Sequence, residues 1–272
     1  MHKLVSAGIY RVKKSKLLWG LVIFSALFVA YMTYSFYRNQ QDYQVEVHTE
    51  DMMFTIFNFL GVLIAVFVSV YIGTDYSDGT IKNKLIVGYA RWEIYLSNLI
   101  ISTLAGTLIA LAYMVLATGI GIAMFGLPQL SMAALALAYL DSFLLILCFS
   151  SLYTMLAMLI SNRTTATITA ILLAFGMMFF ASYTLYHLSQ PPTTPQMNVD
   201  TKEIRNVPNP GYLTGEKREL YEFMIKVNPA GQGFLLPGLK PQELQILWLY
   251  SGVLTLITTG GGYLLFQRKD LK

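Results

Sequence analysis

The chain has 272 residues, of which 55% are hydrophobic and only 12% charged, with a net charge of +4 and a mean hydropathy of +0.54. A soluble globular domain carries about 25% charged residues, so that class is excluded. Repeated apolar runs of about 20 residues match a hydrocarbon layer of ~30 Å at ~1.5 Å rise per residue, which points to an all-α integral membrane protein.

In chain order, residues 1–16 come first and are basic (Lys3, Arg11, Lys13, Lys14, Lys16), with Leu4, Val5, Ile9 and Val12 at helical spacing. This pattern predicts an amphipathic helix on a membrane surface, apolar side toward lipid and lysines toward headgroups. An unstructured basic tail is the alternative. Leu17–Tyr37 is longer than a signal-peptide core and no small-residue cleavage site follows, so it predicts a retained first span. Five further runs complete a region of six spans over residues 17–272: Phe54–Gly73, Leu99–Gly121, Ser142–Ile160, Thr165–Tyr186 and Leu244–Phe266.

Between the second and third runs lies a charged, helix-prone segment, Thr74–Leu96 (TDYSDGTIKNKLIVGYARWEIYL). Gly79 permits a sharp exit from the span. Ile81 and Leu85 share one helical face, and Lys82, Lys84 and Arg91 could pair with acids on a partner. Basic residues that merely set topology would explain the charges, but not the Gly-Thr-Ile-x-x-x-Leu pattern.

The start of the fourth run is ambiguous, because Met132–Tyr139 is also apolar. Asp141 falls at its edge and is expected at the outer interface; a coupling or proton role is the alternative for a carboxylate in a membrane. Cys148, the single cysteine, sits in LLILCFSSLY and reads as a small buried hydrophobe; no disulfide within the chain can form.

The connection over residues 187–243 carries six basic and six acidic residues. It opens with SQPPTTP and VPNP, which suit extended chain. Thr214 is placed to cap a helix whose Leu220, Phe223, Met224 and Val227 fall at i, i+3, i+4 and i+7, ending at Asn228-Pro229. Gly231, Gly233, Pro237 and Gly238 then predict a turn-rich return to the sixth span.

Twelve basic residues fall in the amino end, the second and fourth connections (the latter through Arg163) and the tail (Arg268, Lys269, Lys272), whereas the short loops on the other side hold only Arg38. By the positive-inside rule both termini are expected in the cytoplasm, in a multi-pass protein of the cell membrane. The positive charge is thus a topology signal and does not argue for nucleic acid. There is no GxxxxGKS/T, GxSxG or HExxH, and His2, His48 and His187 are isolated, so neither an enzyme nor a metal site is expected.

The acid-x-x-x-G-T-I-K/R-x-K-L pattern at Asp75, Gly79, Thr80, Ile81, Lys82, Lys84 and Leu85, the six spans, NPAGQ (Asn228–Gln232) before the last span and the FQRKDLK tail together resemble type-2 ABC exporter permeases over essentially the whole chain. That resemblance implies a six-span fold with an amino-terminal elbow helix and a coupling helix docking into a separate ATP-binding-cassette ATPase subunit, which would hold ATP and magnesium. The docking set would be Asp75, Asp78, Gly79, Thr80, Ile81, Lys82, Lys84, Leu85 and Arg91, with the SNRT turn (Ser161–Thr164) as a smaller contact.

The resemblance further implies a second permease, identical or related, with a path at the shared interface lined by spans two and five: Phe54, Phe57, Asn58 and Phe59, then Phe175, Met177, Met178, Phe179, Tyr183 and Tyr186. Asn228, Pro229 and Gln232 would form an extracellular gate. A methionine- and aromatic-rich lining suits a hydrophobic or amphipathic cargo, peptide or drug-like. An ion-coupled secondary transporter, and a membrane sensor or immunity protein binding an extracellular peptide through residues 191–240, are the alternatives.

Overall fold

The computed structural model describes residues 1–44, 46–197, 204–238 and 241–270. Six of its helices are long and apolar enough to cross a membrane: Lys16–Tyr43, Thr49–Ser77, Arg91–Phe125, Met132–Leu159, Arg163–Leu188 and Ile246–Arg268. The fold class is the all-α, six-span one that the composition predicts.

The chain opens with α1 (His2–Lys13), an amphipathic helix with Arg11 and Lys13 in its last turn, where cations complement the helix dipole. No unstructured tail is present there. Leu4 and Val12 are covered by the chain itself, so its apolar face does not simply turn to lipid. Gly8 makes this possible: a Cβ there would come within 2.7 Å of the Ile101 side chain.

Ser15 then caps α2 (Lys16–Tyr43), accepting from the Leu18 N–H at 3.3 Å. A short α3 (Thr49–Phe54) leads into α4 (Phe57–Ser77), followed by α5 (Thr80–Ile86), α6 (Arg91–Phe125), α7 (Met132–Leu159) and α8 (Arg163–Leu188). The apolar stretch at Met132–Tyr139 belongs to α7, because Ser131 supplies the N-cap there through the Ala134 N–H.

The second span is the centre of the bundle, 78% buried along its most apolar window, whereas the first, fifth and sixth spans are 17, 22 and 22% buried. Lipid offers no hydrophobic drive for helix association, so small residues and polar pairs must hold the contacts. Gly61 faces the Phe149 ring, and Gly106 faces Ile64 and Ile146. Ser25 Oγ donates to the Ile109 carbonyl at 3.0 Å, Thr154 donates to Ser102 at 3.3 Å, and Ser151 and Thr258 lie 2.7 Å apart. Such bonds contribute roughly 0.6 kcal/mol each in a bilayer.

The end of the bundle remote from the termini carries β1 (Thr193–Met197), paired antiparallel with β2 (Ile204–Pro208) so that Thr193 faces Pro208. A two-stranded sheet consists of edges, which is why Pro195 and Pro208 are tolerated in it. Next come α9 (Gly215–Val227), α10 (Pro229–Leu235), a 3-10 turn (Leu236–Gly238) and α11 (Pro241–Arg268).

Three expectations for this region change. Thr214 occupies the N-cap position but makes no side-chain cap bond; the entry turn is set by Gly215 at φ 55°. Leu220 and Phe223 stay exposed, and the buried residue of α9 is Ile225. The first part of the turn-rich return is instead helix α10, whose glycines serve close packing rather than turning, while Pro237 and Gly238 do lie in the 3-10 turn after it.

A Cβ at Gly231 would lie 2.2 Å from the Ile225 carbonyl oxygen, and one at Gly233 would lie 2.4 Å from that of Phe57. Both obstacles are backbone and cannot swing aside. Gly233→Ala is therefore expected to cost about 1–3 kcal/mol. Gly238→Ala, in open space, should melt like the parent in a detergent thermal denaturation series.

Candidate functional site

The functional candidates concentrate at the end of the bundle that carries both termini. There α4 ends and Gly79, at φ 68°, turns the chain sharply into the seven-residue α5. The exit from α5 is a Schellman motif: the Gly88 N–H bonds the Leu85 carbonyl (3.0 Å), the Tyr89 N–H bonds that of Lys84 (3.1 Å), and Gly88 sits at φ 97°. Two left-handed glycines thus bracket one short helix and fix its direction.

What α5 presents differs from the sequence expectation. Ile81 is buried and Leu85 half-buried, so that face packs on the chain's own bundle. Ile86 and Val87 project outward instead, 82% and 76% exposed, beside exposed Lys82 and Asn83. Asp78 is also exposed. The signal for Ile86-Val87 is in the sequence: an apolar pair directly before a helix-stopping Gly88 has no room to fold back.

Lys84 and Arg91 are engaged within the chain. The Asp75 carboxylate, only 1% exposed, accepts Lys84 Nζ at 2.8 Å and also the Arg11 guanidinium from α1. Arg11 donates further to the Tyr71 carbonyl at 3.0 Å and lies 3.9 Å above the Tyr71 ring. One buried carboxylate therefore clamps α1, α4 and α5 together, with its charge matched by two cations.

Arg91 donates at 2.7 Å to the Phe266 and Lys269 carbonyls, satisfying the open end of α11. Lys269 Nζ reaches the Tyr76 hydroxyl (3.0 Å) and the Met158 carbonyl (2.9 Å), and burial pushes its pKa down to about 8. Arg11, Tyr76 and Lys269 are members of this end that sequence reasoning missed. Their partners lie 60 or more residues away in the chain.

The Ser161–Thr164 turn is exposed at the same end, and Asn162 caps α8 through the Thr165 N–H at 3.0 Å. It adjoins α5 across a small cleft of about 160 Å³ lined by Ile81, Lys82, Ser161 and Asp270. Gly73 lets the start of α8 approach α4, since a Cβ there would meet Arg163 at 2.9 Å.

The other candidate residues fall in separate environments. Phe54 and Phe57 are enclosed within the chain, Asn58 and Phe59 are half-buried, and the side-chain oxygen of Asn58 has no partner among the described residues. Phe175, Met177 and Met178 on α8 are half-buried, whereas Phe179, Tyr183 and Tyr186 stand on its outer face.

Asn228 and Gln232 form a buried clasp. Asn228 Nδ2 donates to the Met177 carbonyl at 2.8 Å and its Oδ1 accepts from Ala230 N–H at 3.1 Å, with Pro229 in the first turn of α10. Gln232 Nε2 donates to the Lys226 carbonyl at 2.7 Å and its Oε1 accepts from Ser251.

Asp141 is not at the end of its helix. It lies about 14 Å into α7, 4% exposed, and neither carboxylate oxygen has a partner among the described residues. The displacement from expectation follows from α7 beginning at Met132. Cys148 is free and buried.

The family model for ABC-2 family transporter proteins matches residues 4–181, which take in α1 through most of α8. The chain belongs to that family, and is a multi-pass membrane permease subunit of an ABC transporter, a class of subunit that works with an ABC ATPase and is not generally catalytic itself. Comparison with curated proteins finds no match.

Proposed function

We propose that this permease is the membrane half of an exporter, docked through the α5 tip onto a separate ATP-binding subunit that holds ATP and magnesium. The chain itself binds no cofactor. Both termini face the cytoplasm of a cell with this protein in its plasma membrane, a reading that the distribution of twelve basic residues supports. A second permease, identical or related, completes the transporter, and the outer faces of α2, α8 and α11 are available to it and to lipid.

The observation that carries this reading is the α5 tip: two exposed aliphatic side chains, Ile86 and Val87, on a helix held rigidly by Gly79, Gly88 and the Asp75 clamp. An aliphatic pair at the tip of a helix whose other exposed side chains are polar offers a partner an apolar contact with polar residues around it. Closure of the nucleotide-binding subunits would push on α5. Asp75 would pass that movement to α1 and α4, and α4 packs on α6, α7, α8 and α10. Nucleotide can drive such a shift only by its differential affinity for two states, so the docking must be stiff.

The cargo fits the hydrophobic or amphipathic class, peptide or drug-like, passing along the exposed face of span five that carries Phe179, Tyr183 and Tyr186, since Phe54 and Phe57 of span two are enclosed within this chain, with the Asn228–Gln232 clasp closing the outer end. The test is mild-detergent purification of the chain with whatever ATPase accompanies it, reconstituted in vesicles. The expected result is a stoichiometric P-loop ATPase whose turnover changes with amphipathic peptide. A chain that purifies without an ATPase under several mild detergents contradicts the proposal.

A further inference from the structure

An open apolar groove of about 370 Å³ runs between α1 and α6, walled by Ile9, Val12 and Lys13 on one side and Leu104, Leu108 and Leu111 on the other. The three leucines share one helical face and are 44, 44 and 47% exposed. Ile101, at the same wall, is ten residues from Leu111, a rise of about 15 Å. That is the depth of one leaflet of a ~30 Å hydrocarbon core.

The mouth of the groove is marked chemically. The Lys13 side chain is exposed and its ammonium has no hydrogen-bond or ion-pair partner among the described residues, unlike Arg11, which Asp75 holds. Its carbonyl accepts the Trp19 indole N–H at 2.8 Å, and Trp19 is 48% exposed. Tryptophan concentrates at headgroup level, where its apolar ring and N–H donor suit both sides of the boundary. Lys13 therefore stands at the phosphate plane, with a leaflet-deep apolar slot beneath it.

The geometry points to a binding site for one anionic glycerophospholipid: an acyl chain lies along Leu104–Leu111 and the phosphate pairs with the Lys13 ammonium. A phosphocholine headgroup would bring its own cation beside Lys13, so the slot discriminates in favour of anionic lipid. The site rests on the α1–α6 geometry and on membrane placement, not on the exporter assignment.

Trp19 gives a direct readout once Trp92→Phe and Trp248→Phe remove the other indoles. The full chain is placed in phosphatidylcholine nanodiscs doped with brominated phosphatidylglycerol or brominated phosphatidylcholine. Half-maximal quenching is expected at about fivefold lower mole fraction of the anionic lipid, the effect of one cation near a membrane surface. Lys13→Glu should abolish that preference. Lys3→Glu, the same charge change outside the groove, should keep it. Equal quenching by the two lipids overturns the site, and so does equal loss in both variants, which would mean diffuse surface attraction. Because no ATPase is present, failure here leaves the transporter reading standing.

Discussion

Replacing Ile86 and Val87 together by Asp is expected to weaken association with the ATPase subunit at least about thirtyfold, and to remove its stimulation, without changing the melting temperature of the permease. Fully burying one Val or Ile side chain is worth about 1.5–3 kcal/mol, two are lost here, and a charge placed in the partner's pocket adds desolvation. The same side chains are 82% and 76% exposed in the free chain, so the fold does not depend on them. Surface changes away from any contact usually stay within about ±0.5 kcal/mol.

Titration of the variant permease against the ATPase, with turnover as the signal, makes the measurement. Full-strength coupling would show that the α5 tip is an ordinary exposed loop. Leu85→Asp is a poor substitute, because Leu85 packs on the bundle and its loss confounds folding with docking.

Asp75→Ala carries the second large effect. Removing one member of a buried ion pair costs about 3–5 kcal/mol, because the remaining charge is stranded. Here Lys84 is 19% exposed and Arg11 40% exposed, so water relieves part of the penalty and about 3 kcal/mol is the expected loss. Adding Lys84→Met to Asp75→Ala should recover a measurable part of it, since the two residues are in contact and their effects are not additive. Freed from its clamp, α5 should also transmit less force, so ATPase stimulation falls even where binding survives. An Asp75→Ala protein that melts with the parent would remove the clamp from the account.

The spans are legible in the sequence because a hydrocarbon layer imposes its length on any helix that crosses it, and little else produces repeated apolar runs of that size. The turn at Gly79 is legible for a similar reason: few residues other than glycine accept φ 68°. The orientation of α5 is not. Seven residues make barely two turns, and which side meets the bundle depends on Asp75 and on Arg11, 64 residues upstream of it.

Lys84 looks like a free cation in the sequence because its carboxylate partner lies nine residues back, off the usual helical spacing. Gly231 in NPAGQ and Gly233 just after it read as turn formers but are there so that helix backbones can touch, a role visible only once Ile225 and Phe57 are in place. The depth of Asp141 followed from a helix boundary. Met132–Tyr139 is apolar enough to be span or loop, and Ser131 decides it by capping.

The docking claim is tested most directly by a cysteine crosslink from the α5 tip. With Cys148→Ala removing the only native thiol, Val87→Cys is placed at the tip and Leu127→Cys, 76% exposed, at the opposite end of the bundle. A short bifunctional thiol reagent in native membranes should join Val87→Cys to a P-loop ATPase and leave Leu127→Cys without that adduct. No ATPase adduct at position 87, or the same adduct from both positions, would contradict the account.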